Sequence, residues 1–565
     1  MSWLQDSESA ILQHQSTCCT YELNLPMNFG FVIDNRRCIG CHACTVACKS
    51  EHDVPVGVNR TWVKYIEKGT FPNTRRIFSV MRCNHCENAP CVEICPTQAL
   101  FTRPDGIVDF DNRRCIACKS CMQACPYDAL YIDPETHTAA KCNYCAHRVE
   151  IGLEPACVNV CPTQAIISGD LDDPQSKIAN LVAQQQVTVR KPEKGTRPNL
   201  FYIEGDEASL TPGEAGQENA YHWSTQTRGV GHHASRNDLR TNPFADILGE
   251  ASAALDSIKE RLKEDTSATT VRAPKARRVY DAPSKGVLWG WEVAGYILTK
   301  AVAAGAVIFP FLSHLLDWDH LSESTMTASV LMGLVFLGLT GALLVKDLDQ
   351  PKRFLYVLLR PHWTSWLVKG AYIITGFGGL LTLQLVLGLT GYSNLGSLSS
   401  GLDGLLVIFA VLTSVYTAFL FAQAKGRDFW QSPLLVLHMI IHAVIGGPGV
   451  WLILSLAFDS MSAISGTMAT VLAWGLVAQL VVLVAELATP HPTEDAHRVV
   501  EMITKGPFKT IFWGSGVVLG TLLPLVLLLL STSPFALAGA SLLSLIGLWY
   551  LIRLWVQVPQ LLSLS

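Results

Sequence analysis

Sixteen cysteines fall between Cys38 and Cys161 in four groups of four. The groups are Cys38, Cys41, Cys44 and Cys48; Cys83, Cys86, Cys91 and Cys95; Cys115, Cys118, Cys121 and Cys125; and Cys142, Cys145, Cys157 and Cys161. Groups one and three share the spacing C-x2-C-x2-C-x3-C, and groups two to four end in Cys-Pro at Pro96, Pro126 and Pro162. Thiolates so spaced are ligands for [4Fe-4S] cubanes, the fourth cysteine of a run serving the other cluster of a pair. Sixteen are enough for four clusters. A disulfide scaffold would call for an oxidising compartment and a small secreted domain. Structural zinc accommodates four-cysteine sets but leaves the repeated spacing and the Cys-Pro endings unexplained. Spacing alone leaves the partners open: groups one and three, or one with four and two with three. The two other cysteines, Cys18 and Cys19, receive no role.

Loops that wrap a cubane need short strands to hold them and small residues to pass close, here Gly40, Ala43 and Ala47. Phe31 to Asp34 reads as the strand feeding the first loop. Residues 49–80 read as an insertion with a hairpin, and 98–101 with 106–110 as another. Cys-Pro-x-x-Ala-[Leu/Ile] recurs at 95–100, 125–130 and 161–166, an internal repeat that points to two stacked ferredoxin modules. Within 168–285, Asn199 to Ile203 reads as a strand and Leu248 to Lys263 as a short helix. The rest reads as loops and a tether, with His222, His232 and His233 as surface residues. The expected organisation is a leader at 1–30, a four-cluster domain at 31–205, a linker at 206–285 and a membrane domain at 286–565.

The chain has 565 residues and a formal net charge of −4, which gives no electrostatic footprint for nucleic acid. A mean hydropathy of +0.27 averages two unlike halves. From Gly286 onward, eight apolar segments are long enough to span a bilayer, near 288–312, 326–345, 366–389, 403–424, 432–456, 467–488, 509–530 and 533–555. The start lacks the basic and apolar regions of a signal peptide. Arg36-Arg37 and Arg113-Arg114 precede cluster cysteines and read as local charge near anionic clusters. Loops on the cluster side carry Lys346, Lys352, Arg353, Arg360, Lys425, Arg427, Arg498, Lys505 and Lys509, while the opposite loops carry no Lys or Arg. The positive-inside rule then puts the clusters in the cytoplasm, on an inner membrane.

Residues 28–205 resemble the four-cluster electron-transfer subunits of molybdopterin oxidoreductases, such as dimethyl sulfoxide, polysulfide and thiosulfate reductases. The motifs are CIGCHACTVAC, CNHCENAPCVEICP, CIACKSCMQACP, and CNYC with ACVNVCP. The resemblance implies a pairing of group one with four and two with three. One cluster would use Cys38, Cys41, Cys44 and Cys161, and its neighbour Cys48, Cys142, Cys145 and Cys157. The next would use Cys83, Cys86, Cys91 and Cys125, and the last Cys95, Cys115, Cys118 and Cys121. Residues 286–556 resemble the NrfD/PsrC quinone-reactive anchors through Lys346-Asp-Leu-Asp-Gln-Pro-Lys-Arg-Phe354 and Arg360-Pro-His-Trp-Thr-Ser-Trp366, with Asp349 where that family has glycine.

The resemblance implies an α+β double ferredoxin-like iron-sulfur domain followed by an eight-helix transmembrane bundle. It implies an electron-transfer and anchor subunit, a separate molybdenum or tungsten bis-pterin catalytic subunit, a quinone/quinol substrate and no haem. His438 and His442 are i, i+4 on one helix, which is no bis-axial pair. A quinone needs an apolar slot with hydrogen-bond partners, and ionisable groups in spans are functional candidates. The expected pocket set is Lys300, Asp347, Asp349, Arg353, His362, Trp366, Tyr416 and Glu486, with Gln423 nearby. Asp347, Lys352 and Arg353 also suit loop salt bridges or snorkelling. A redox-coupled ion-translocating module using the same clusters is the competing expectation.

Overall fold

The computed structural model describes residues 27–70, 72–217, 276–281, 285–316, 321–390, 397–489, 491 and 493–565. The expectations for the leader up to residue 26, for Cys18 and Cys19, for the helix at 248–263 and for His222, His232 and His233 lie outside the described residues.

Short strands precede the long helices: β1 (Phe29–Asp34), β2 (Trp62–Thr70), β3 (Asn73–Met81), β4 (Leu100–Thr102), β5 (Val108–Phe110) and β6 (Leu130–Ile132). They continue with β7 (Ala139–Lys141), β8 (Ile166–Asp170), β9 (Val187–Thr188), β10 (Leu200–Ile203), β11 (Gly216–Gln217) and β12 (Arg277–Tyr280). β1 is the centre of one sheet of order β8-β1-β10-β9. Its Phe31, Val32 and Ile33 are buried on both faces, as a covered strand requires. It pairs antiparallel with β8, Ile33 opposite Ile166, and parallel with β10, Phe31 opposite Leu200. Because β1 runs into Cys38 and β8 leaves Cys161, this pairing brings cysteine groups one and four together. The hairpins β4–β5 and β6–β7 fold the chain back between groups two and three and between three and four.

The insertion at 49–80 is the β2–β3 hairpin, in register from Trp62 opposite Met81 to Thr70 opposite Asn73. The stretch 206–285, expected as a tether, differs. Its described parts belong to the cluster half. β12 pairs antiparallel with β2, Arg278 opposite Ile66, and β11 pairs parallel with β12, Gly216 opposite Arg277. The edge of β2 would otherwise present unpaired backbone groups, and β12 satisfies them. A buried ion network locks this sheet: Asp281 meets Arg278 at 2.5 Å and Lys64 at 2.6 Å.

Eight helices follow that are long and apolar enough to cross a membrane. They are α1 (Trp291–Leu315), α2 (Glu323–Lys346), α3 (Trp366–Thr390), α4 (Ser397–Gln423), α5 (Leu435–Leu454), α6 (Ser465–Ala488), α7 (Ile511–Leu530) and α8 (Pro534–Gln557). Ser322 and Ser533 cap α2 and α8 by accepting from the Thr325 and Ala536 amides. α1 is the most buried and packs against α2, α4, α5 and α8. Where α1 crosses α5, any Cβ on Gly305 or Gly447 would strike the other helix's backbone, so the crossing distance depends on both glycines. Beyond α8 the last residues turn back into the cluster half, where Lys64 Nζ donates to the Ser565 carbonyl (2.5 Å) and Lys191 Nζ to the Leu564 carbonyl (2.9 Å).

Candidate cluster loops and their contact with the membrane helices

The backbone repeats the sequence repeat. The residue before the second cysteine of every group has positive φ: Gly40 (69°), His85 (43°), Ala117 (57°) and Tyr144 (61°). So does the third residue after each Cys-Pro cysteine, Gln98 (53°), Asp128 (55°) and Gln164 (50°). Left-handed non-glycine residues are costly and persist where the surroundings over-determine them. Their recurrence at equivalent places marks loops shaped around a common object rather than loops chosen for local propensity.

The cysteines converge four by four. Cys38, Cys41, Cys44 and Cys161 line one cavity of about 330 Å³. Cys83, Cys86, Cys91 and Cys125 line a second of about 310 Å³. Cys95, Cys115, Cys118 and Cys121 line a third of about 400 Å³. Cys48, Cys142, Cys145 and Cys157 are also neighbours, since Cys145 and Cys157 act on Cys48, and Cys48 and Cys157 on Cys142. Burial, then repulsion from Cys157 and Cys145, pushes the Cys48 thiol up to about 12; burial, despite the nearby Arg82 charge, pushes Cys44 to about 11. Such thiols give up their protons to a cationic centre, and a tetrad around a closed space fits an iron-sulfur cubane. Amides already point at sulfur: Ala165 N lies 3.2 Å from Cys161 Sγ and Ala117 N 3.3 Å from Cys115 Sγ.

Two basic residues that the sequence reading passed over are buried here. Arg82 donates to Cys157 Sγ at 3.2 Å, stacks its guanidinium 4.7 Å from the Phe31 ring and leaves Nε and Nη2 without hydrogen-bond partners among the described residues. Although burial works against the charge, the surrounding cysteines outweigh it and raise its pKa. Lys141 is fully buried and donates to the Val108 and Cys142 carbonyls. A signal did exist: Arg37, Arg82, Arg114 and Lys141 each immediately precede the first cysteine of a group. Only the second and fourth are buried; Arg37 and Arg114 are exposed, and Arg36 and Arg113 turn away to pair with Asp34 and Asp111.

The tetrad of Cys95, Cys115, Cys118 and Cys121 rests on the helices. The loop between α2 and α3 wraps it. Arg353 Nη1 donates to the Asn112 and Cys115 carbonyls at 2.7 and 3.0 Å, and His362 bonds the Cys95 and Pro96 carbonyls. Ser365 donates to the Ile94 carbonyl, Asp349 pairs with Lys119 at 3.3 Å, and Lys119 also reaches the Asp347 carbonyl. Trp289 Nε1, just before α1, donates to the Cys118 carbonyl at 3.1 Å. From the other side Arg427 holds Gln123 at 2.9 Å and the Pro559 and Leu562 carbonyls. Burial brings its guanidinium down to about 10. Gly426 lies so close to the Gln123 and Cys125 backbone that a Cβ would sit 2.6 Å from the Gln123 oxygen.

The expected pocket residues therefore separate. Asp349, Arg353 and His362 grip the cluster loop, and Asp347 contributes its carbonyl there. Trp366 stacks on Phe419 with centroids 4.4 Å apart, and its amide bonds Gln423 at 2.8 Å. Lys300 and Tyr416 meet deeper, with Lys300 Nζ 4.5 Å from the Tyr416 ring, 3.0 Å from the Ser414 carbonyl and 2.5 Å from Thr417 Oγ1. Glu486 stands elsewhere, accepting from Ser432 at 2.9 Å and 4.0 Å from His438. Beside it His438 and His442 line a separate cavity that the sequence reading did not single out.

Family models agree with this division. Residues 37–100 and 74–171 match 4Fe-4S dicluster domains, and 281–559 match the polysulphide reductase NrfD model. A tetrathionate reductase subunit of Salmonella typhimurium is 48% identical over 188 residues, 33% of this chain and 75% of the relative. One of the polysulfide reductase polypeptides of Wolinella succinogenes is 43% identical over 180 residues, 31% of this chain and 93% of the relative. NrfC of Escherichia coli is 42% identical over 180 residues, 31% of this chain and 81% of the relative. With eight spanning helices under the NrfD match, this is a multi-pass membrane protein. The chain belongs to the 4Fe-4S dicluster family of iron-sulfur electron-transfer subunits, fused in one polypeptide to a membrane anchor of the polysulphide reductase NrfD family.

Proposed function

We propose that this chain carries electrons through four [4Fe-4S] clusters between a quinone pool and a separate molybdenum or tungsten bis-pterin catalytic subunit. The observation that carries the reading is the four-by-four convergence of sixteen cysteines, with one tetrad clamped on the membrane helices. Bound there, each cluster accepts and returns one electron at a time. The chain's own residues do the rest. The cysteines fix cluster positions, Arg82 and Lys141 oppose the negative charge of the sulfurs, and Trp289, Arg353 and His362 hold the membrane-side loop against the bundle.

The basic cluster-side loops support a cytoplasmic placement at an inner membrane. The named roles of the relatives support a reductase partner, whose substrate nothing in this chain selects. The test is iron and sulfide analysis of anaerobically purified protein, followed by quinol addition. About sixteen irons per chain, from four per cluster, and quinol-dependent bleaching are expected. Far fewer irons, or clusters deaf to any quinol, would sink the reading. A second reading, redox-coupled ion movement, is favoured by polar groups at both depths of the bundle. Besides Lys300, Asp403 accepts from Gln384 at 2.9 Å and lies 3.4 Å from His314 towards the far side.

A further inference from the structure

Lys300, Arg353 and His362 of the expected pocket set have found partners within the protein, whereas the histidine-lined cavity and Glu486 behind it keep polar atoms without one among the described residues. Lys300 already meets a carbonyl, a hydroxyl and a ring face. The cavity between α1, α4, α5, α6 and α8 has a volume of about 410 Å³, comparable to the cysteine-lined cavities at about 310 to 400 Å³. Its walls are apolar, built from Ile297, Phe421, Met439, Leu483, Leu551 and Trp555. Three polar side chains line it, and a fourth stands behind His438. His438 Nε2, His442 Nδ1, Gln479 Oε1 and Glu486 Oε1 are all buried and all lack a hydrogen-bond partner among the described residues. Four such atoms in one place demand an explanation, because buried polar groups are nearly always bonded.

The orientation of two of them is fixed. Thr521 Oγ1 donates to the Gly516 carbonyl, so it must accept from Gln479 Nε2 at 2.9 Å, which leaves Gln479 Oε1 free as an acceptor. Glu486 Oε2 accepts from Ser432, leaving Oε1 as a second acceptor. Neutral imidazoles can donate or accept. An apolar slot edged by acceptors and imidazoles fits a flat ring bearing two hydroxyls, or two carbonyls once oxidised. The cavity lies in the cluster-side part of the bundle, since His442 is seven residues into α5, roughly 10 Å from its start. It is also wired to the nearest tetrad. Trp289, bonded to the Cys118 carbonyl, stacks on Trp430 at 5.4 Å and packs on Phe421 at 5.5 Å. Phe421 lines the cavity, and Trp430 Nε1 donates to the carbonyl of Trp555, whose ring lies 5.2 Å from His438.

We infer that this cavity, rather than the Lys300–Tyr416 cluster or the α2–α3 loop, holds the head group of the quinone, with His438 and His442 as its hydrogen-bond partners and Glu486 as the proton acceptor behind them. The inference rests on the quinone reading above. In quinol oxidation the two O–H bonds break. Two protons leave by the imidazoles and Glu486 towards the cluster side. Two electrons pass singly to the oxidised iron-sulfur clusters, giving quinone and two reduced clusters. Quinone reduction is the same step reversed.

Two measurements on the full-length protein with its clusters in place test this. A photoreactive azidoquinone should label peptides of α5 around 435–442 or of α8 around 551–556. Quinol-driven cluster reduction should fall at least tenfold in Leu483→Trp, which fills the cavity, and in His442→Leu, while direct reduction by dithionite and the iron content stay as in wild type. His438→Gln, a milder change, should lower the rate with the same iron content. Wild-type quinol rates in these variants, or label confined to α1, α4 or the 347–366 loop, overturn the placement. If wild-type protein with full iron is neither labelled nor reduced by any quinol, the quinone reading itself fails, and this site with it.

Discussion

The two halves of this molecule obtain their shape in opposite ways. Every described non-glycine residue with positive φ lies between His42 and Glu204, and the cluster half has no described strand or helix longer than nine residues. The membrane half has spanning helices of 20 to 27 residues, and none of its described non-glycine residues has positive φ. One half is loops bent around cavities, with thiols and buried cations turned inward. The other is self-sufficient in backbone hydrogen bonds, as a bilayer requires. The lesson is that the first half depends on what it binds, and the second on what surrounds it.

Removing iron should therefore have the largest effect and the most lopsided one. Chelation under denaturant-free conditions should unfold the cluster half, seen as rapid proteolysis within 27–217, because binding energy at such sites is folding energy. The helical circular dichroism of the spans should persist. A cluster half that stays protease-resistant without iron would erase the contrast.

Cys121→Ala sharpens it at one tetrad. Iron should fall by about a quarter, one cluster in four. Quinol-driven reduction of the remaining clusters should nearly cease, since this tetrad is the one that Trp289 and the α2–α3 loop bond. Dithionite should still reduce them. Equal loss from Cys41→Ala, in a tetrad away from that contact, would remove the special position of the membrane-side set.

Arg353→Ala tests the seam between the halves. It deletes two charge-assisted bonds to the Asn112 and Cys115 carbonyls, worth about 1.5–3 kcal/mol each before relaxation. We expect a lower melting temperature of the cluster absorbance and slower quinol-driven reduction with unchanged iron.

The smallest effect concerns pH. Burial, followed by the nearby Arg190 charge, lowers Lys191 to about 8, beneath the returning tail. The folded protein then releases a proton that the unfolded chain keeps up to the ordinary lysine range. Between about pH 8 and 10.5 the unfolded state binds more protons, so this residue makes stability rise with pH there. Melting curves of wild type and Lys191→Met across that window should differ in slope, the variant lacking this rise.

Much of this was legible in the sequence because its signals are one-dimensional. Cysteine spacing and apolar runs need no knowledge of neighbours, and the Cys-Pro repeat reappears as the left-handed residues Gln98, Asp128 and Gln164. What was not legible required two distant segments to meet. Spacing left the partners of the cysteine groups open, while the register of Ile33 with Ile166 brings groups one and four together. Arg353 read as a pocket residue or a loop charge, and His362 as a pocket residue. Only their carbonyl partners near Cys95 and Cys115 show that they grip the cluster loop. His438 and His442 looked uninformative as a pair on one helix. Their meaning comes from Gln479 on α6 and Glu486 at its end, more than thirty residues on in sequence.

The parallel pairing of β11 with β12 changes what the long polar stretch between the halves is. Gly216 and Arg277 are neighbours, so the chain from 218 to 276 departs from and returns to one spot on the cluster half. The actual joint between the halves is the short run from Tyr280 to Trp289, held by Lys285 on the Asp128 and Leu130 carbonyls. A protease cut inside 218–276 would leave two fragments still joined through the β2–β12 pairing and the seam around Cys118. Where the clusters stand relative to the membrane is therefore set by the sheet, the seam around Cys118 and this short joint.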